Sequence, residues 1–451
     1  MSRRHFLKSI GAPLVASLGG SSLLASFNDS EAAIGDDYKA LVCLFLNGGN
    51  DGNNTLIPTD GGYNDYRQSR PVLALPKESL INLTAKSGGR SFALHPGLAP
   101  LAALYNRQRL SWIANIGPLI VPATGQQVID HAVAVPPFLM SHNDQTAVQQ
   151  GWGGDADQSG WAGRGLELFS SSLRNQLNAV SMTQDRTLIL GKNAQTSFMS
   201  ANGARYWGRA DLAAPQSFWS QALNNMAQLQ FANPYEKEYA RTFGNSVTEA
   251  TILTQVFLKA KAPSGNFSSD ELAANLRSLA SALPVFKSMG YRRQIFLVQW
   301  GGFDTHYEQR GNAARTQDAQ LAILGKAVAA FDDSIVAAGM DRDVTTFMMS
   351  DFGRTLRPAS GEGSDHAWGN HWFVLGGAVA GGQVHGQFPS LVLGSADDGD
   401  PGRGGRHVPS TSTDQLGASL MQWMGLPTTQ FHNVFPNLVN FSQKTINIFK
   451  A

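Results

Sequence analysis

Apolar residues in this chain gather into short unbroken runs, separated by polar turns and by longer stretches with helical spacing. The run Ala40-Leu-Val-Cys-Leu-Phe-Leu46 has no polar position on either face, so it predicts a strand buried on both sides. It ends in the turn Asn47-Gly-Gly-Asn-Asp-Gly-Asn53. Leu98 to Gln108 has helical spacing, and Leu110 to Ile116 predicts a second buried strand. From about Pro136 to Gly165 the chain carries turn residues and tryptophans with little periodicity. Glu236 to Ala262 and Ser269 to Met289 place apolar residues three and four apart and predict helices. A second strand–helix series follows. Gln294 to Trp300 predicts a strand ending in Gly301-Gly302, Gln317 to Ala338 an amphipathic helix, and Val344 to Met349 a strand ending in Ser350-Asp351. Trp372 to Leu375 predicts a short strand before the glycine-rich residues 376–386, and Thr411-Ser-Thr-Asp414 supplies capping residues for a closing helix over Thr413 to Met424. Strands alternating with helices predict an α/β fold around a mostly parallel sheet flanked by helices, with a helical insertion at about 190–290.

The first residues stand apart from this pattern. Ser2-Arg-Arg-His-Phe-Leu-Lys8 precedes a mildly apolar stretch rich in Gly, Ser and Ala from Ile10 to Phe27, the order of a twin-arginine export signal. That stretch falls short of the ~20 consecutive apolar residues of a membrane helix, and no later segment is a plausible span. Cleavage is expected between Ala25 and Gly35, which divides the chain into a signal peptide at 1–33 and an α/β domain at 34–451. The expected partner is the twin-arginine translocase, and the expected location is the periplasm or beyond. A content of 42% hydrophobic and 15% charged residues fits a soluble body with a sizeable core. The net charge of +1 gives no general attraction to nucleic acid or to an anionic membrane. Cys43 is the only cysteine, so no intrachain disulfide can form; within its apolar run it packs as a small hydrophobe.

Candidate chemistry lies where the predicted strands stop. In an open α/β sheet, ligands bind beyond the carboxyl ends of the strands. Three of the strands end near an aspartate: Asp51, Asp304 and Asp351. Just beyond them come His306, then Asp365, His366 and His371. A lone aspartate after a strand is ordinarily a turn or cap residue. Carboxylates and imidazoles collected at one sheet edge are instead what a divalent cation requires. Other chemistries lack their signatures. No phosphate loop of the G-x-x-x-x-G-K-[ST] type occurs, the glycines at 48, 49 and 52 do not have dinucleotide spacing, and no G-x-S-x-G elbow is present. Scattered aromatic residues with no basic stripe argue against a nucleic-acid surface.

Several blocks carry a resemblance: Phe45-Leu-Asn-Gly-Gly-Asn-Asp-Gly-Asn-Asn-Thr-Leu-Ile-Pro58, Ser141-His142, Gly160-Trp-Ala-Gly-Arg164, Gly301-Gly-Phe-Asp-Thr-His306, Ser350-Asp-Phe-Gly-Arg-Thr355, Asp365-His-Ala-Trp-Gly-Asn-His371 and Ser412-Thr-Asp-Gln-Leu-Gly-Ala418. In this order the sequence resembles the bacterial domain-of-unknown-function 1501 family, twin-arginine-exported proteins related to the alkaline phosphatase and sulfatase superfamily. The resemblance implies an alkaline phosphatase-like α/β sheet with one or two divalent ions (Zn, Mn or Ca) at the strand ends. Carried over by residue, Asp51 and Asp351 would share one metal. Asp304, His306 and one of His366 or His371 would hold the other. Ser141, beside His142, takes the nucleophile position, and Arg354 would hold the non-bridging oxygens of an anionic group. The chain departs from the superfamily at Phe352, which stands where a histidine ligand would follow Asp351. One metal is then lost, or supplied from Asp365 and His366. No C/S-x-P-x-R block is present, so a formylglycine mechanism is not expected. The implied function is a metal-dependent hydrolase of phosphate or sulfate esters. The alternative is a secreted, non-catalytic binding or assembly protein that keeps the fold, with a co-encoded exported protein of unknown function as its partner.

Overall fold

The computed structural model describes residues 37–450 apart from 85–87, 152–156, 194–195, 205–213, 215 and 230. The expected signal peptide lies outside the described residues. In chain order the strands are β1 (Lys39–Leu46), β2 (Leu56–Pro58), β3 (Ile81–Asn82), β4 (Phe92–Leu94), β5 (Leu110–Gly117), β6 (Ala179–Ser181), β7 (Ser197–Ser200), β8 (Gly203–Ala204), β9 (Arg293–Trp300), β10 (Val344–Ser350), β11 (Asn370–Leu375), β12 (Val384–His385) and β13 (Thr411–Ser412). The main sheet runs β12-β5-β11-β10-β1-β9-β6-β7-β8, with β13 also paired to β5, and β2-β4-β3 form a small separate sheet.

The three longest apolar runs of the central region build the middle of the sheet. Leu41 to Leu46 of β1 are at most 1% exposed, which requires cover on both faces. Full burial of side chains such as Phe45, Phe296 and Phe347 contributes about 1.5–3 kcal/mol each to holding these strands together. β1 is parallel to both β9 and β10, and Leu46 lies opposite Trp300 on one side and Ser350 on the other. The three strands therefore end level, and the segments that follow them meet above one sheet edge. The sheet is α/β and mostly parallel. Its exceptions are β11, antiparallel to β10 and β5, and β8, antiparallel to β7.

Helices Glu271–Ser288 and Gln317–Ala337 pack on one another, the first of them also against β9, while helix Thr413–Met424 packs against β1. Ser412 and Gln415 close a capping box at the start of that last helix, and Gly425, at φ +103°, ends it. The segment 190–290 holds β7, β8 and helices Phe218–Gln228, Pro234–Lys259 and Glu271–Ser288 among its described residues. The stretch after Pro136, which shows little periodicity in the sequence, holds helices His142–Gln149 and Trp161–Glu167. The first of these is polar along most of its length and has no apolar stripe to announce it. Among the described residues, no helix is long and apolar enough to cross a membrane.

Candidate metal centre at the strand ends

The segment after β1 turns through Gly48 and Gly49, both at positive φ, and a Cβ on Gly48 would strike the backbone of Phe303 and Asp304. Glycine there lets the segment after β9 lie directly against the one after β1, which brings Asp304 over the sheet edge. Asp351, the first residue past β10, accepts the Gly48 N–H on one carboxylate oxygen at 3.0 Å. Its other oxygen faces His142 Nδ1 at 2.6 Å. His142 arrives from its own helix, held close by the Gln149 side-chain amide, which donates to the Asp351 carbonyl.

Asp304 then stands among three imidazoles. His142 Nε2 is 3.5 Å from one carboxylate oxygen; His306 Nε2 and His366 Nε2 are 3.1 and 3.3 Å from the other. The remaining nitrogen of each ring is tethered to an oxygen: His142 Nδ1 to Asp351, His306 Nδ1 to Asp365 at 3.1 Å, and His366 Nδ1 to the Met140 carbonyl at 2.8 Å. A carbonyl only accepts, so His366 carries its proton on Nδ1 and presents a lone pair at Nε2. The His306 and His366 Nε2 atoms are 2.9 Å apart. Two such nitrogens at that separation need a proton or a cation between them. Imidazoles anchored to oxygen through one nitrogen, with the other turned to a shared carboxylate, have the outer-shell support typical of metal-binding histidines. Ligand atoms of His142, Asp304 and His366 all lie within 4.8 Å of one another, and His306 adjoins them. This donor set of imidazole nitrogen and carboxylate oxygen fits a divalent ion such as zinc.

The electrostatics agree with that geometry. Burial pushes the Asp304 carboxyl up, but the Arg354 hydrogen bond and charge, with His306 and His142, outweigh it and hold the group below its ordinary range. The hydrogen bond to Asp351 raises His142, whereas burial lowers His366 and favours its neutral form.

Arg354 occupies a different role from the one expected of it. Its side chain is fully buried, with Nε donating to the Gly49 carbonyl at 2.8 Å and Nη1 to the Ser364 carbonyl at 2.8 Å. Nη2 donates to the carbonyls of Gly48 and Phe303 and to Asp304 Oδ1 at 2.5 Å. The guanidinium ties together the segments after β1, β9 and β10, and is spent on the protein rather than offered to a ligand. Asp51 is likewise engaged elsewhere: its carboxylate is paired with buried Arg70 and accepts from Gln309 at 2.6 Å. Asp51 and Asp351 thus have separate partners instead of a shared site. His371 is fully buried, accepts the Asn115 N–H at 2.9 Å and stacks on Phe388; burial lowers its pKa to about 3. Of the pair His366 and His371, the structure brings only His366 to the cluster. Ser141 caps helix His142–Gln149, and its Oγ is bound to Asp144 at 2.5 Å rather than directed at the cluster.

Beside the imidazoles opens a cavity of about 530 Å³ whose walls include His306, Asp365 and His366, faced by Arg357, Arg403 and Arg406. The sequence did not single out these arginines, and it placed His142 beside Ser141 rather than among the candidate ligands, because neither a loop arginine nor a histidine on a helix without an apolar stripe leaves a periodic signal.

The sequence model of the family described as "Protein of unknown function (DUF1501)" matches residues 38–401, and the chain belongs to that family. No curated protein matches the sequence. Among solved structures, the chain is similar to the lipoteichoic acid synthase LtaP from Listeria monocytogenes, at 10% identity and a TM-score of 0.37, covering 90% of this chain and 76% of that one. It is also similar to the phosphonate monoester hydrolase SpPMH from Silicibacter pomeroyi (9% identity, TM-score 0.31, 86% and 74% covered). A third is the PsFucS1 sulfatase from Pseudoalteromonas sp. (8% identity, TM-score 0.31, 80% and 66% covered). At such identities the likeness concerns the fold alone.

Proposed function

We propose that the chain is an exported, metal-dependent hydrolase of phosphate or sulfate esters. One observation carries the reading: three imidazoles, each anchored through one nitrogen to an oxygen, turn the other toward the single carboxylate of Asp304. A divalent ion held by Asp304, His142, His366 and His306 would polarise an ester oxygen and acidify a water. Asp351 orients His142 and favours its charged form, so His142 can hold a proton next to the reacting group when it is not a ligand. Arg354 fixes Asp304, and the Met140 carbonyl fixes the His366 tautomer. The twin-arginine motif at Arg3-Arg4 supports passage through the twin-arginine translocase to the periplasm or beyond. Zinc-loaded chain is expected to hydrolyse an aryl phosphate or aryl sulfate, and Asp304→Asn and His366→Asn to lower kcat/KM by at least about a hundredfold. Equal turnover in wild type and both variants would overturn the reading.

A second reading has its own support. Asp51 is committed to Arg70 and Ser141 to Asp144, so the superfamily's second metal and nucleophile positions are both filled by internal partners. A secreted binding protein with a structural metal, joined to a co-encoded exported partner, would look like this. Zinc-loaded chain that turns over neither ester but co-purifies with such a partner would favour it.

A further inference from the structure

The cavity beside the imidazoles is far larger than one phosphate or sulfate group needs, and part of its wall is cationic, lined by Arg357, Arg403 and Arg406. Two segments build that wall. Leu356 and Arg357 donate their N–H groups to the carbonyls of Gly405 and Gly404, at 3.0 and 2.7 Å, so the chain after β10 lies alongside residues 402–406. Gly404 and Gly405 both sit at positive φ, and a Cβ on either would press on Thr355 or on Leu393 and Leu356. Asp398 pins the same turn, accepting the N–H groups of Asp400 and Arg406, each at 2.9 Å, on one oxygen, and that of Gly394 at 3.0 Å on the other. The backbone that presents these arginines is therefore set by the fold.

The arginines differ in their engagement. Arg406 is held: Nε donates to the His366 carbonyl at 3.0 Å and Nη1 to Asp400 at 2.8 Å, which couples the wall to a ligand residue. Arg357 and Arg403 are exposed and have no ion-pair partner among the described residues. The carboxylate on the same lining, Asp365, is already committed to His306. The cavity lining thus combines His306 and His366 with two arginines that have no ion-pair partner among the described residues, on two segments hydrogen-bonded to each other.

We infer that Arg357 and Arg403, with Arg406 behind them, form a second anion subsite. The substrate class is then an ester whose leaving group carries a further acidic group, which the arginines bind while the scissile group lies at the imidazoles. This rests on the hydrolase reading for what happens at the centre, but the subsite itself is a binding claim. Guanidinium forks match phosphate and sulfate oxygens, so the same wall takes either.

Calorimetric titration of the zinc-loaded full chain with orthophosphate, inorganic pyrophosphate and fructose 1,6-bisphosphate tests it. Wild type should bind at least one of the two bis-anions about tenfold or more tighter than orthophosphate, and Arg357→Ala/Arg403→Ala should collapse that ratio toward one. Preference for pyrophosphate indicates adjacent anionic groups, and preference for the sugar bisphosphate indicates separated ones. Both residues are exposed, so the double variant is expected to fold, which its circular dichroism and melting temperature check. A preference that survives the double substitution, or its absence in wild type, overturns the subsite. The two proposals fail separately: bis-anion binding that depends on these arginines without ester turnover leaves the subsite standing and removes the hydrolase, and turnover without the preference does the reverse.

Discussion

Replacing Arg354 should damage folding and metal binding together. Among the described residues, the guanidinium is the only hydrogen-bond donor to the carbonyls of Gly48, Gly49 and Ser364, all buried; the Phe303 carbonyl also accepts the Thr305 N–H and so keeps a partner. Arg354→Met fills much of the volume but leaves those carbonyls without a donor. A buried acceptor stripped of its partner costs about 1–3 kcal/mol. Allowing for relaxation, the variant should lose at least about 3 kcal/mol, a large part of a typical domain's 5–15 kcal/mol or so. Asp304 also loses the donor that orients it, and loss of such outer support lowers metal affinity by about 10–100-fold. Urea unfolding followed by far-ultraviolet circular dichroism reads the first effect, and zinc competition against a chromophoric chelator reads the second. Arg354→Lys keeps the charge without the planar fork and should fall between the two. It also carries the test if the methionine variant does not fold. Stability within about 1 kcal/mol of wild type, together with zinc affinity within about threefold, would refute the reasoning.

Two further outcomes follow from the geometry. Ser141→Ala removes an N-cap and should cost about 1 kcal/mol by urea unfolding, with a modest loss of turnover through the displaced His142; a loss beyond about a thousandfold would restore Ser141 as a nucleophile. Buried His371 stays neutral down to about pH 3, and burial lowers His407 as well, whereas in the unfolded chain both take protons near their ordinary 6.5. The His371 contribution should therefore weaken the fold below pH 6.5, by up to about 1.4 kcal/mol per pH unit, while Asp414 and Glu249, both raised by burial to about 7, act in the opposite sense. The unfolding free energy of wild type relative to His371→Gln should fall from pH 7 to about 4, and a constant difference would contradict this.

The centre of the sheet was legible because β1, β9 and β10 are buried on both faces, which leaves unbroken apolar runs in the sequence. Helix Thr413–Met424 was legible because its cap residues stand in the chain next to it. Strands of two to four residues such as β6, β7, β8, β12 and β13 are too short to show a period. At the site, the placement of Asp304, His306, Asp351 and His366 together follows from the level strand ends, a property the sequence does expose. What it hides is competition for a side chain. Arg70, just past the C-terminal end of helix Gly62–Ser69, captures Asp51, and His142 finds Asp351 across a separation of 209 residues. Arg354 illustrates the same limit: its residue type suggests an anion ligand, and only its burial among carbonyls shows a positioning role.

The central claim is that Asp304 and the imidazoles around it hold a divalent ion, and elemental analysis of the purified chain tests it most directly. Wild type and Asp304→Ala should be prepared side by side, dialysed against metal-free buffer and measured by plasma mass spectrometry after both are shown to be folded. The account predicts about one zinc or similar transition-metal ion for each wild-type chain and loss of most of it in the variant. Metal-free wild type, or a folded variant that keeps its full complement, would contradict it.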